Sequence, residues 1–325
     1  MYLVFDIGGS SVKYALITIE GEIVEKGKRS VPSYSGATSE DFIDNLVNIY
    51  EEKKDMSPEG IAISLPGQID VKRGIVYGGG AFPYMDKVPL GEILSKRCDN
   101  LPVALENDAK CAALAEVWLG NAKDVKDCAV LVFGTGIGGA VVRNRKVIHG
   151  KHLLAGEVSY MIENMTREDL KNVKSPEERN PNEGLTDYLE KVYFHWAASH
   201  STVSMCYWFA KKKGIPYKEV TGEMIYKMAD EGDEIAIDTL EDMYFSIAKK
   251  CMNIYLLVDP EVILIGGGIS HEPRFIEGIK KYVKILMKPD KIFDHIRIDT
   301  CKYMNDSNLY GALFNLLQRE HLDQD

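Results

Sequence analysis

Apolar positions along this chain follow two rhythms. Short runs of β-branched and aromatic residues, most of them closed by a turn, predict strands at residues 2–5, 12–19, 22–29, 61–65, 103–105, 128–133, 140–143, 261–265 and 296–299. Spacings of three and four predict helices where Phe42, Ile43, Leu46, Val47 and Tyr50 recur, and at 109–119, 187–213, 235–258, 279–287 and 309–318. Ile247, Ala248 and Cys251 fall on one side of the 235–258 helix, which Asp259-Pro260 ends. Residues 165–183 are polar and carry Pro176 and Pro181, which predicts a long loop.

Three glycine turns each follow a predicted strand: Asp6-Ile7-Gly8-Gly9-Ser10-Ser11, Gly134-Thr135-Gly136-Ile137-Gly138-Gly139 and Gly266-Gly267-Gly268. The first two are each followed by a further strand, so strand, glycine loop, strand occurs twice, with little residue identity between the copies. The second loop satisfies G-x-G-x-x-G, yet it opens the β-branched stretch Ala140-Val141-Val142 rather than a helix, which argues against a dinucleotide fold. The first lacks the Lys-Ser/Thr ending of a Walker loop. Successive backbone N–H groups in such turns form concave nests for anions, and glycine removes the Cβ that would hold a phosphate away. Either turn alone is better read as a tight hairpin. Together, with an acid closing the first strand, they point to a bound nucleotide.

Between them lies Leu105-Glu106-Asn107-Asp108-Ala109-Lys110, where a strand passes into an alanine-rich helix. Asn and Asp are also the residues a helix N-cap prefers, which is the plain alternative for both. Upstream, Gly78-Gly79-Gly80 and Phe82-Pro83-Tyr84 form a loop that would admit a ligand to its backbone.

Composition narrows the function. A chain of 325 residues exceeds the size of one hydrophobic core, so two lobes are expected. The net charge of -10 argues against nucleic acid as a partner. No stretch has the apolar length of a membrane span, and residue 1 leads directly into a strand without an export leader, so the expected location is the cytoplasm. Six cysteines lack C-x-x-C spacing and read as reduced core thiols.

Taken together, Asp6 to Lys13, Glu106 to Ala109, Gly134 to Gly139, His149-Gly150, Ala155-Gly156-Glu157, Asp259 to Gly268 and Tyr310-Gly311-Ala312 resemble the ROK family of sugar kinases and sugar-responsive repressors, in the actin-like/hexokinase ATPase superfamily. The likeness runs from residue 2 to the last helix. It implies an α/β, two-lobed actin-like (ribonuclease H-like) fold, with mixed sheets flanked by helices and a cleft between lobes. Residues 1–118 plus 306–325 would form the N-terminal lobe, with sugar and first phosphate loop. Residues 119–305 would form the C-terminal lobe, with the second loop, the adenosine site and dimer contacts. Hinges are expected near 118–126 and 300–308.

The resemblance implies an ATP- and Mg²⁺-dependent kinase acting on the 6-hydroxyl of a hexose or its derivative, with Asp108 as general base. Asn107 and Glu157 would bind sugar hydroxyls, and Gly79 and Gly80 would border the sugar. Asp6 would orient Mg²⁺ through water; Gly8, Gly9, Ser10, Thr135 and Gly136 would clasp phosphates; Gly267 and Gly268 would make room for adenosine. Lys13 would reach a phosphate or face solvent. Repressors of the family carry a helix-turn-helix ahead of the Asp-Ile-Gly-Gly strand, which here starts at residue 2, and a non-catalytic sensor has no need of Asp6, Asp108 and both loops together.

Two departures stand out. Most members continue Ala-Gly-Glu into a zinc-binding His and a cysteine cluster; here Ser159-Tyr160 stands in that place and no cysteine lies between Cys128 and Cys206, so no zinc site is expected. Aligning Ala198-Ser199 with the family's next helix puts His195 where a sugar-binding Glu is usual. With Gly79-Gly80-Ala81 in place of an Asn-Leu pair, glucose is a doubtful substrate; similar loops occur in zinc-less members acting on other hexoses or β-glucosides. Members are commonly homodimers, and Tyr193, Phe194, Trp196, Tyr207 and Trp208 fit either an interface or a core.

Overall fold

Leu3, Phe5 and Ile7 alternate along the first strand with Tyr2, Val4 and Asp6, and this period-two pattern decides the layering of the N-terminal part. The structure, a computed structural model, describes residues 1–32, 36–77, 82–134, 136–162, 166–172, 201–303 and 306–322. Gly79, Gly80, Thr135, His195 and the predicted helical stretch 187–200 lie outside them.

In chain order come β1 (Tyr2–Ile7), β2 (Ser11–Ile17), β3 (Ile23–Ser30), α1 (Ser39–Lys53), β4 (Ile61–Leu65), a hairpin of β5 (Gln68–Asp70) and β6 (Ile75–Tyr77), α2 (Leu90–Arg97), β7 (Val103–Asn107) and α3 (Asp108–Trp118). They build a sheet of order β3-β2-β1-β4-β7. β1 is antiparallel to β2 and parallel to β4, and β4 is parallel to β7. Leu3, Phe5 and Ile7 pack on one face with Phe42, Leu46 and Leu94 of α1 and α2. Tyr2 and Val4 pack on the other with Cys111 of α3 and Leu309 and Leu313 of the last helix, α8 (Ser307–Leu322). α8 crosses α3 so closely that a Cβ on Gly311 would lie 1.7 Å from the Cys111 carbonyl oxygen. α1 starts at a reciprocal cap, in which Thr38 Oγ1 accepts from Asp41 N–H and Asp41 Oδ2 accepts from Thr38 N–H.

The second sheet repeats this scheme. β8 (Cys128–Phe133), β9 (Ile137–Arg143), β10 (Lys146–Val147), β11 (Val262–Gly266) and β12 (Ile298–Thr300) have the order β10-β9-β8-β11-β12. β8, β11 and β12 are parallel neighbours, and β9 and β10 are antiparallel. Among the described residues four helices accompany it: α4 (Thr202–Lys213), α5 (Gly222–Asp230), α6 (Glu234–Val258) and α7 (Pro273–Leu286). Phe209, Ile225, Met243, Ile247, Cys251 and Phe275 from these helices join Leu131, Phe133, Ile263 and Ile265 in one core.

The chain divides into two compact units, Met1–Asp127 with Val141–Ala155 and Lys302–Asp325, and Cys128–Ala140 with Gly156–Cys301. Tyr207 and Trp208 are half-buried on α4, ring against ring with centroids 5.3 Å apart.

Candidate active site

In the first unit, three parallel strands bring their carboxyl ends together, the edge at which open α/β sheets bind ligands. Their register aligns Asp6 of β1 with Ser64 of β4 and Ser64 with Glu106 of β7. Asp6 and the start of α3 therefore emerge on the same edge, two strand spacings or roughly 10 Å apart.

Asp6 is only 7% exposed. Its Oδ2 lies 3.2 Å from Lys13 Nζ, because Asp6 and Lys13 are cross-strand partners in the hairpin, and its Oδ1 accepts from Asn308 Nδ2 at 3.0 Å. Lys13 thus turns toward the carboxylate. Asn308, 302 positions away, has no signal in the sequence beyond its place at the start of the last helix. Between β1 and β2, the Gly8 N–H donates to the Ser11 carbonyl at 2.9 Å, which closes the loop carrying Gly9 and Ser10; all three loop residues are exposed.

Asn107 is the N-cap of α3. Its Oδ1 accepts from the N–H groups of Ala109 at 3.0 Å and Lys110 at 3.2 Å, and its Nδ2 donates to the Gly67 carbonyl at 3.1 Å. This rigid fixture presents the next residue, Asp108, half-buried on the first helical turn, where its Oδ1 accepts from Ala109 N–H at 2.8 Å. A helix N-terminus favours and orients such a carboxylate.

Glu106 stands apart from the two residues that follow it. It points to the opposite face of β7 from its neighbours Leu105 and Asn107, as strand alternation requires. There it is fully buried, with Oε1 accepting from Asn107 N–H at 2.8 Å and Oε2 2.7 Å from His149 Nε2. His149 appeared in the sequence only as an element of a pattern; 43 residues separate the partners.

The second unit holds the other glycine loops. Gly134 N–H donates to the Gly136 carbonyl at 2.9 Å, making a tight turn after β8. Among the described residues a Cβ on Gly134, Gly136 or Gly268 would meet nothing within 4 Å, so their packing does not require glycine there. Gly267 differs: its φ is +96°, and a Cβ would lie 2.0 Å from the Phe133 carbonyl oxygen. β8 and β11 are adjacent and parallel, with Gly266 opposite Val132, so both turns open on one sheet edge. Next to them lies a cavity of about 820 Å³ lined by Phe133, Gly134, Tyr226, Gly268, Ile269 and Arg274. Its size and partly aromatic lining suit a nucleoside. Glu157 is half-buried at the entry to the short turn Val158–Tyr160.

Among the described residues no group of three His, Cys, Asp or Glu side chains could hold a metal ion. Among the described residues no helix is long and apolar enough to cross a membrane.

A family model described as the ROK family matches residues 2–319. The β-glucoside kinase of Listeria monocytogenes is 32% identical over 98% of this chain and 97% of its own length. That of Klebsiella pneumoniae is 31% identical over 97% and 95%. Among solved structures, a ROK family protein from Streptococcus pneumoniae in complex with sucrose superposes with a TM-score of 0.80 at 33% identity, covering 98% of this chain and 99% of that one. The Thermus thermophilus ROK hexokinase shares the fold at 20% identity, with a TM-score of 0.77 and 98% and 99% coverage. With the actin-like ATPase fold and a family match spanning almost its whole length, this chain belongs to the ROK family.

Proposed function

We propose that this chain, an ATP-dependent carbohydrate kinase, transfers a phosphoryl group to the 6-hydroxyl of a hexose or hexose derivative, with β-glucosides the foremost acceptors. The observation that carries this reading is the fixture at the end of β7: Asn107 caps α3 and holds Asp108 on the edge where Asp6 also emerges. The family membership supports phosphoryl transfer, and three relatives more than 30% identical that bear the name β-glucoside kinase support the acceptor class.

Phosphoryl transfer demands positioning and charge stabilisation more than covalent chemistry from the protein. Asp108 accepts the proton of the acceptor hydroxyl as its oxygen attacks the γ-phosphorus and the bond to the bridging oxygen of ADP breaks. Asn107 has a second Nδ2 hydrogen for a sugar hydroxyl, and Glu157 supplies a carboxylate to the same substrate. Backbone N–H groups around Gly8 to Ser10 and Thr135 to Gly136 bind phosphate oxygens, with Lys13 adding charge. The cavity beside Gly134 and Gly268 takes the nucleoside, with Gly267 shaping the turn.

Asp6 is suited to Mg²⁺ held through water: it is an oxygen donor at a sheet edge, and its two oxygens already accept from Lys13 and Asn308, which leaves water-mediated contact the better fit. The ion, when bound with ATP, neutralises phosphate charge.

The test is a coupled assay of ADP release with Mg-ATP across hexoses, hexosamines and β-glucosides, with the product's phosphate position read by NMR. A β-glucoside turned over with the highest kcat/KM is the expected result; no turnover of any sugar would refute the kinase reading. Asp108→Asn is expected to lower kcat by about 10²–10⁴ with sugar affinity retained, and turnover within about threefold of the parent would remove Asp108 from the role of base.

A further inference from the structure

Behind the catalytic turn, and within the first unit, lies a second cavity of about 400 Å³. Its inner wall carries Glu106, His149 and Asn315; Lys72, Lys146 and Arg319 also line it. Glu106 is fully buried, Asn315 is 8% exposed, and both Lys72 and Lys146 are exposed to solvent. Three cations therefore face one carboxylate that already has His149 as its partner. Arg319 Nη1 is buried and has no hydrogen-bond partner among the described residues. A buried guanidinium donor left unmet costs stability, and such a group in a native structure calls for an explanation. A bound anion would supply it.

Polar side chains line the cavity together with the apolar Val71, Leu114 and Val147. Phosphate oxygens match the cationic side, since guanidinium and ammonium groups bind them by charge-assisted bonds. Glu106, His149 and Asn315 offer both acceptors and donors to hydroxyl groups. We propose that this cavity is a regulatory site for a phosphorylated sugar, the class of the reaction's own product. The choice of ligand class rests on the kinase reading; the site itself rests on the cavity and the unmet arginine.

Glu106 links this cavity to the reaction. One carboxylate oxygen faces His149 while the other holds the Asn107 N–H, and Asn107 caps the helix that carries Asp108. A ligand that shifts Glu106 moves the support of the base without touching the substrates.

The experiment is calorimetric titration without ATP of the full-length wild type, Lys146→Gln, Arg319→Gln and Asp108→Asn, using glucose 6-phosphate, glucose and inorganic phosphate as probes. Glucose 6-phosphate is expected to bind wild type and Asp108→Asn alike. Its affinity should fall about 10- to 100-fold in Lys146→Gln and Arg319→Gln, with the turnover of those two variants in the absence of product unchanged. Lys146 is exposed, so its variant keeps the fold even if Arg319→Gln does not. Undiminished affinity in Lys146→Gln, loss of binding in Asp108→Asn, or no binding to wild type would overturn the site. Inorganic phosphate binding as tightly as glucose 6-phosphate would do so as well, marking an adventitious ion only. Binding is read without turnover, so a kinase assay that fails on every sugar leaves this result separately interpretable.

Discussion

Glu106, Asn107 and Asp108 are consecutive in the chain and have three separate tasks. Two acids flanking an amide suggest a shared site, yet alternation along β7 sends Glu106 to the buried side, while the helix turn takes Asp108 to the sheet edge. Glu106→Ala would leave the Asn107 N–H unmet and strip His149 of its partner. The expected outcome is a loss of about 3 kcal/mol in unfolding free energy, measured by denaturant titration, and a lowered kcat through the loosened cap. His149→Ala is expected to cost less, since that ring is 22% exposed and water can replace it. The strand-to-helix junction that carries Asn107 and Asp108 was legible from residue type. His149 and Asn308 were not, because their partners stand 43 and 302 residues away and neither pairing leaves a local pattern.

Among elements, the glycine turn after β11 separates two roles that look the same in sequence. Gly267 is required by backbone geometry, and Gly268 opens onto the cavity. Gly267→Ala is expected to lower the melting temperature, because a left-handed φ and a 2.0 Å contact with the Phe133 carbonyl must both be relieved. Gly268→Ala is expected to leave the melting temperature nearly unchanged while raising the KM for ATP. Equal effects of the two substitutions on both measurements would contradict this division. β1 to β4, β7 to β9, β11 and β12 were read from their composition to within a few residues, whereas β5, β6 and β10, only two or three residues long, left no signal. α2 and α5 were passed over: they are 8 and 9 residues long, too short for periodicity to declare itself, and packing against neighbours supports them instead.

The pH response belongs to the whole molecule. Asp99 is held below the usual carboxylate range by Lys54 and then Tyr50, and Asp233 by Lys213 and then the Ala236 N–H. Such groups bind protons less readily folded than unfolded, so their contribution is present above about pH 4 and is lost as pH falls through the folded values. Burial pushes the Cys98 and Cys206 thiols up to about 11 and, with Asp99 adding to it, the Tyr50 phenol to about 12. Their contribution is complete below the ordinary thiol range and is lost as pH rises toward 11 to 12. Calorimetric melting temperatures are therefore expected to be level from about pH 5 to 8 and to decline on both sides. All six cysteines are buried, so a thiol reagent should react with the native protein only as fast as it unfolds.

The sequence by itself determined the two sheets, their glycine turns and the family, since buried strands and tight turns write their requirements locally in residue type. Only the tertiary structure decided what lies opposite those residues. It placed Asn308 on Asp6, His149 on Glu106, and an arginine nitrogen without a partner among the described residues in a cavity behind the turn from β7 to α3. The reason is physical: a pairing between residues far apart in the chain depends on how elements pack, and no single segment carries that information.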